Sequence, residues 1–194
     1  MNKETLKRIF DFLEEKGEHR GPLFWKHKNN IPLTDEELNI EGNLDLSDTN
    51  ITSLPKGFKV GGSLNLFGSK IESLPKGLKV GGDLNLNFAK ITSLPEGLEV
   101  GGGLSLQDTN INSLPKGLEV GGYLDLSESY IEFLPEGLKV GGHLDLIETD
   151  IKFLPKGLEV GDDLFISWTT LTKYTDDELR GMIKPGFIKG DIYR

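Results

Sequence analysis

Gly101-Gly-Gly-Leu104-Ser-Leu106-Gln-Asp-Thr109-Asn-Ile111-Asn-Ser-Leu114-Pro115-Lys-Gly117-Leu118-Glu-Val120 is one copy of a 20-residue unit. The pattern Gly-Gly-x-Leu-x-Leu-x-x-Thr-x-Ile-x-x-Leu-Pro-x-Gly-Leu-x-Val begins near Gly42 and runs six times through Val160. It decays into a partial seventh copy ending near Tyr174, so it covers roughly two-thirds of the 194 residues. A unit this short cannot bury its own apolar side and needs neighbours, which means a solenoid.

The columns hold their register. The first strand leucine recurs from Leu44 to Leu164, and the second from Leu46 to Leu146, with Ile166 last. Isoleucines follow from Ile51 to Ile151, then Leu171; next come Leu54 to Leu154, replaced by Tyr174. Leu-x-Leu has period two, so both leucines face one side of a short strand and the residue between them faces out. Stacked copies make a parallel sheet, and the handedness rule for parallel connections predicts a right-handed path. The isoleucine and the Leu-Pro leucine return along the opposite wall. Proline has no N–H to donate, which suits an extended arm without continuous pairing.

The glycines read as corners. Gly57 and its equivalents to Gly157 are expected to take positive φ, and the Gly-Gly pair is expected to do the same at the next corner. No following helix or phosphate-loop spacing supports a nucleotide site. Thr49, Ser69, Thr109, Ser129, Thr149 and Thr169 are expected to turn hydroxyls inward toward backbone groups of adjacent turns. Ala89 breaks that column and marks the third copy as locally weak.

This pattern resembles the leucine-rich repeat. The shortest form of that family, best known from bacterial effector proteins, carries Leu-x-Leu-x-x-Asn-x-Leu-x-x-Leu-Pro. Leu104-Ser-Leu106-Gln-Asp-Thr109-Asn-Ile111-Asn-Ser-Leu114-Pro115 follows it position for position, with Thr, Ser or, once, Ala89 in the asparagine column and Val-Gly-Gly before most strands. The resemblance spans about residues 38–174. It implies an α/β-type solenoid dominated by short parallel strands, with small helical caps.

The ends supply the caps. Residues 3–16 read as a helix with Leu6, Ile9, Phe10 and Leu13 on one stripe, and Thr34-Asp-Glu-Glu37 reads as a capping box before the first strand. Thr175-Asp-Asp-Glu178 is a second capping box, opening a helix through about Ile183 that stops near Pro185-Gly186. The tail Phe187-Ile-Lys-Gly-Asp-Ile-Tyr193 is apolar enough to fold over the last copy. The expected organisation is one domain: a helical cap over 1–41, the solenoid over 42–174, and a C-terminal cap over 175–194.

Composition narrows the chemistry. A net charge of −9 disfavours direct nucleic-acid binding, and the absence of cysteine removes thiolate nucleophiles and Cys-based metal sites. No secretory signal or membrane-length apolar run is apparent, so a cytoplasmic location and no membrane partner are expected. No serine or second histidine completes a nucleophilic arrangement around His143 and its aspartates. The expectation is no catalytic, metal or cofactor site, and a monomer rather than an obligate oligomer.

The outward sheet positions are the natural binding face. Early copies present small polar residues there, whereas later ones add Tyr123, His143, Ile147 and Phe165 beside Asp145, with Tyr130 and Trp168 just beyond the strand. Exposed aromatics among polar neighbours are what interface hot spots use. These seven residues are the candidate interface for a protein partner; the competing reading is that the tail covers the rings. A second function is mimicry of nucleic acid, with Asp48, Asp108, Glu128, Glu148 and Asp150 adding to the sheet carboxylates to occupy a basic groove of a nucleic-acid-binding enzyme. A single-signed acidic stripe separates that reading from a mixed-sign surface.

Overall fold

In the computed structural model, residues 26, 27 and 32–194 are described. The helix expected over 3–16, and Leu23, Phe24 and Trp25, lie outside them. The chain divides into two compact units, Met1–Asn39 and Ile40–Arg194. In the first, Thr34 and Glu37 form the expected capping box: each backbone N–H bonds the other's side chain at the start of helix α1 (Asp35–Leu38).

The second unit is a parallel β-solenoid. One sheet is built from the Leu-x positions: β2 (Leu44–Asp45), β4 (Leu64–Asn65), β6 (Leu84–Asn85), β8 (Leu104–Ser105), β10 (Leu124–Asp125), β12 (Leu144–Asp145) and β14 (Leu164–Phe165). All are paired in parallel, copy on copy, with Leu104, Leu124 and Leu144 in register. We call this the leucine sheet. Its ladder continues into the turn that follows, where the N–H of Glu128, for example, donates to Ile147 O at 3.0 Å.

A second parallel sheet, absent from the sequence reading, forms where each unit ends in x-Val. It runs from β1 (Asn39–Ile40) through β3 (Lys59–Val60), β5 (Lys79–Val80), β7 (Glu99–Val100), β9 (Glu119–Val120), β11 (Lys139–Val140) and β13 (Glu159–Val160). Each valine points into the core and its neighbour outward, as period two demands. Between the two sheets runs the Ile-x-x-Leu-Pro arm, which forms no named strand; it carries an isolated bridge between Ser53 and Ser73 and scattered rung-to-rung bonds, such as Lys152 N–H to Glu132 O at 3.0 Å. Leucines from the strands, the arm isoleucines and the sheet valines fill a single continuous interior.

Two glycine columns do different work. Gly57, Gly77, Gly97, Gly117, Gly137 and Gly157 have positive φ, as expected. The Gly-Gly pair does not. A Cβ on Gly121 would lie 2.2 Å from Gly101 O, and one on Gly141 would lie 2.1 Å from Gly121 O. Here glycine permits close approach of stacked backbones rather than an unusual dihedral angle. The positive-φ corner expected at this pair falls later, in the turn three residues past the leucine strand: Asp48, Gly68, Phe88, Asp108, Glu128, Glu148 and Trp168.

The hydroxyl column also differs from expectation. Thr109 Oγ1 donates to Leu106 O at 2.7 Å, and Thr49, Ser129, Thr149 and Thr169 make the same bond within their own turns rather than across turns. Ser69 Oγ is buried with no hydrogen-bond partner. At Ala89 the acceptor Leu86 O already receives the Ala89 N–H at 3.0 Å, as its counterparts do elsewhere. Ala89→Thr therefore adds one donor to a carbonyl placed as in five other copies. It is expected to raise stability by about 0.5–1.5 kcal/mol. A denaturant midpoint that falls at unchanged slope instead would show overpacking beside Phe88.

The tail does more than cover the last copy. A 3₁₀ turn (Thr170–Lys173) and helix α2 (Asp176–Met182), with the expected Thr175–Glu178 capping box, replace the arm. The chain then forms β15 (Phe187–Ile188) and β16 (Ile192–Tyr193), which extend both sheets in parallel as a further rung. The offset from the previous rung is 28 residues instead of 20. Arg180 holds this rung: its guanidinium donates to Ile188 O and to Gly190 O.

Candidate functional site

The expected interface residues fall into two groups. Tyr123, His143 and Phe165 form an aromatic ladder on the leucine sheet. Tyr123 and His143 stack with centroids 5.2 Å apart, His143 meets Phe165 edge-on at 5.8 Å, and Phe165 stacks on Tyr193 of the tail at 5.0 Å. The ladder has a built seat. The Tyr123 ring lies where a Cβ on Gly103 would stand, 2.1 Å from that point, and its hydroxyl reaches Ser105 Oγ at 3.0 Å. One face of each ring is stacked against a partner, Tyr123 on His143 and Phe165 on Tyr193. Tyr193 was not among the sequence candidates; its signal was an aromatic in the same tail that was read as a cover.

The polar residues between the leucines are largely occupied by the backbone. Asp125 Oδ1 accepts from Ser127 N at 2.9 Å and Oγ at 2.7 Å, and Asp145 Oδ1 accepts from Ile147 N at 2.9 Å. Asn65 and Asn85 do the same for Phe67 and Asn87. One column earlier, Asn43, Ser63, Asp83 and Asp163 each accept an N–H from the next rung. The bonds two residues on are local Asx-type caps, whereas those of the earlier column tie one rung to the next. Among the described residues no cluster of three or more His, Asp or Glu side chains is placed to hold a metal ion.

Asp145 is half-buried, and that burial pushes its carboxyl above the usual range; the Asp125 charge adds to the shift, while the Ile147 N–H and His143 oppose it. A raised native value means that stability is fully present below the ordinary Asp range and declines as pH rises through the native one. Asp145→Asn keeps the acceptor oxygen, as Asn65 and Asn85 show. It is expected to stabilise the protein at pH 7 by up to about 1 kcal/mol, allowing for solvent screening, with the gain vanishing at acid pH. Paired melts at pH 7 and in the acid range check both halves.

The second group lies along the turn edge. Tyr130 is 62 % exposed and Trp168 is 81 % exposed, and both border a shallow groove with Asp108, Glu128, Glu148 and Asp150. Trp168 has φ +60, a left-handed conformation that costs a bulky side chain about 1–2 kcal/mol. Ile147 precedes Glu148 in the same turn and is half-buried. Phe133 and Phe153 form a further exposed pair on the arm, with centroids 5.5 Å apart, beside Met182 of α2. The first four copies carry serine at that position, so the repeat itself does not mark it as aromatic.

Charge is divided between the faces. The x-Val sheet mixes both signs, in the order Lys59, Lys79, Glu99, Glu119, Lys139, Glu159; Lys79 pairs with Glu99 at 2.6 Å, and Lys139 with Glu119 at 2.9 Å. The leucine sheet and its turn edge, over 102–111, 122–131, 142–151 and 162–171, hold carboxylates and neither lysine nor arginine. No protein-family model matches this chain, and no curated protein matches it in sequence. No described helix is long and apolar enough to cross a membrane.

Proposed function

We propose that the protein is a noncatalytic, monomeric binding module of the cytoplasm, a leucine-rich-repeat variant that engages a protein partner with its later rungs. The observation that carries this reading is Trp168. It combines high solvent exposure with a left-handed backbone that glycine would adopt without strain. Phe88 shares the left-handed position but is less exposed and meets the Phe67 ring, so the exposure of Trp168 is what points to a surface that is covered in use. Tyr130 and the aromatic ladder supply the surrounding contact area.

The test separates binding from folding. Trp168→Gly is expected to leave the protein as stable or about 1 kcal/mol more stable, by relief of strain, while partner capture from the native cell is lost. Tyr123→Ala is expected to lower stability, since it empties the seat over Gly103. Full partner capture by the Trp168→Gly and Tyr130→Ala variants would refute the placement.

A second reading is an acidic mimic that occupies a basic groove of a nucleic-acid-binding enzyme. Its support is the carboxylate-only character of four successive rungs of the leucine sheet; the mixed signs on the other sheet count against it. If it holds, a captured partner binds nucleic acid and is displaced by it competitively.

A further inference from the structure

The turn-edge groove combines three properties. Two exposed rings, Tyr130 and Trp168, border it. Carboxylates at Asp108, Glu128 and Glu148 recur one rung apart, with Asp150 beside them. None of the residues lining it is a lysine or arginine. Parallel rungs lie about 4.8 Å apart, so Asp108, Glu128 and Glu148 form a row of like charges at a spacing that leaves each repelling the next. Glu128 takes a hydrogen bond from Gln107 Nε2 at 3.0 Å, but a neutral amide cancels no charge.

We infer that this groove takes a short Lys/Arg-rich segment of a partner protein, its cations set between the Tyr130 and Trp168 rings and the Asp108–Glu128–Glu148 row. The inference rests on the protein-binding reading above and adds the chemistry of the partner. Charge complementarity identifies the occupant. A carboxylate row with open aromatic faces attracts a cation through both Coulombic and ring-quadrupole terms, whereas a neutral apolar segment would have to desolvate four carboxylates without compensation. An arginine also stacks flat on a ring while donating to a carboxylate, and the row ends with Trp168 one rung beyond Glu148, while Tyr130 sits two residues after Glu128. From Asp108 to Trp168 is three rungs, or about 14 Å, the length of roughly four extended residues. The aromatic ladder on the sheet is a poorer host, because one face of each ring is already stacked on another ring.

Fluorescence anisotropy of a labelled hexapeptide of alternating lysine and arginine tests this on the full chain. Its acetyl-lysine/citrulline counterpart is the neutral control. Saturable binding of the charged peptide alone is expected. Trp168→Ala and Tyr130→Ala should each weaken it by about two- to fivefold. Glu128→Gln with Glu148→Gln should weaken it by about tenfold and flatten its salt dependence. Glu99→Gln with Glu159→Gln, on the other sheet, should change it by less than about twofold. Circular dichroism melts confirm that each variant is folded, and Trp168→Phe should recover part of the loss.

No saturable binding, equal losses from carboxylates on either sheet, or indifference to both ring substitutions overturns the assignment. Indifference of the peptide together with loss of native-partner capture in the ring variants overturns the cationic segment but leaves protein binding standing. If the ring variants change neither, both fall.

Discussion

Gly121→Ala is expected to destabilise the solenoid by about 3 kcal/mol, although the change adds a single methyl group. The new Cβ would sit 2.2 Å from Gly101 O and 2.9 Å from Gly101 C. Both are backbone atoms, and the Gly121 N–H is itself tied to Val100 O at 3.1 Å. Relief therefore requires moving one rung off another, which lengthens ladder bonds on both sheets. Gly117→Ala is the matched control. It has φ +72 and open space around its would-be Cβ, so only the dihedral strain of about 1–2 kcal/mol applies. Denaturant unfolding of the pair decides between close approach and backbone conformation as the reason for glycine. Equal losses would show that the rungs can spread. Against a typical total of about 5–15 kcal/mol, the larger loss is a substantial fraction of the stability.

Arg180→Ala is expected to cost a comparable amount, about 3 kcal/mol, and to act locally. Two charge-assisted hydrogen bonds are lost, each worth about 1.5–3 kcal/mol, and the carbonyls of Ile188 and Gly190 are left unpaired by the side chain. Ile188 ends β15 and Gly190 lies in the connection to β16, so the tail rung should open before the repeats do. Hydrogen exchange reads this directly. The amides of Leu164 and Ile166, which donate to Asp191 O and Tyr193 O, and of Lys189, which donates to Val160 O, should lose protection. Those of Leu104 and Leu106, four bonds deep in the stack, should keep it. Uniform loss along the chain would mean that the last rung and the repeats unfold as one unit. Release of Tyr193 should also free one face of Phe165, the point at which the aromatic ladder ends.

The candidate site was legible in identity but not in grouping. Tyr123, His143 and Phe165 occupy predictable outward columns, yet their stacking needed the ring of Tyr123 to lie back over Gly103. The sequence contains that signal: Gly103 is the one glycine in a column otherwise filled by side chains, directly before the tyrosine's copy. Asp125 and Asp145 looked available for binding and are instead engaged by N–H groups two residues on, a local Asx geometry that Asp125-Leu-Ser127 already suggests. The Gly-Gly pair was read for dihedral freedom, when its constraint comes from a neighbour 20 residues away. The x-Val sheet escaped notice because each copy contributes a strand of two residues with only one apolar member. Such a strand has no periodicity of its own and exists only as a stack.

The sequence by itself determined the solenoid, its parallel register and its buried columns. Each depends on which side chain recurs at which offset, and apolar burial between identical neighbours has one consistent solution when the period is strict. Only the tertiary structure decided how the tail adds a rung, how charge sorts onto a mixed sheet and a carboxylate sheet, and that Tyr130 and Trp168 share a groove. Those outcomes depend on backbone hydrogen bonds and on distances across rungs. A strand accepts any partner that offers the right N–H and C=O groups, so β15 and β16 could join at a 28-residue offset without repeating the motif.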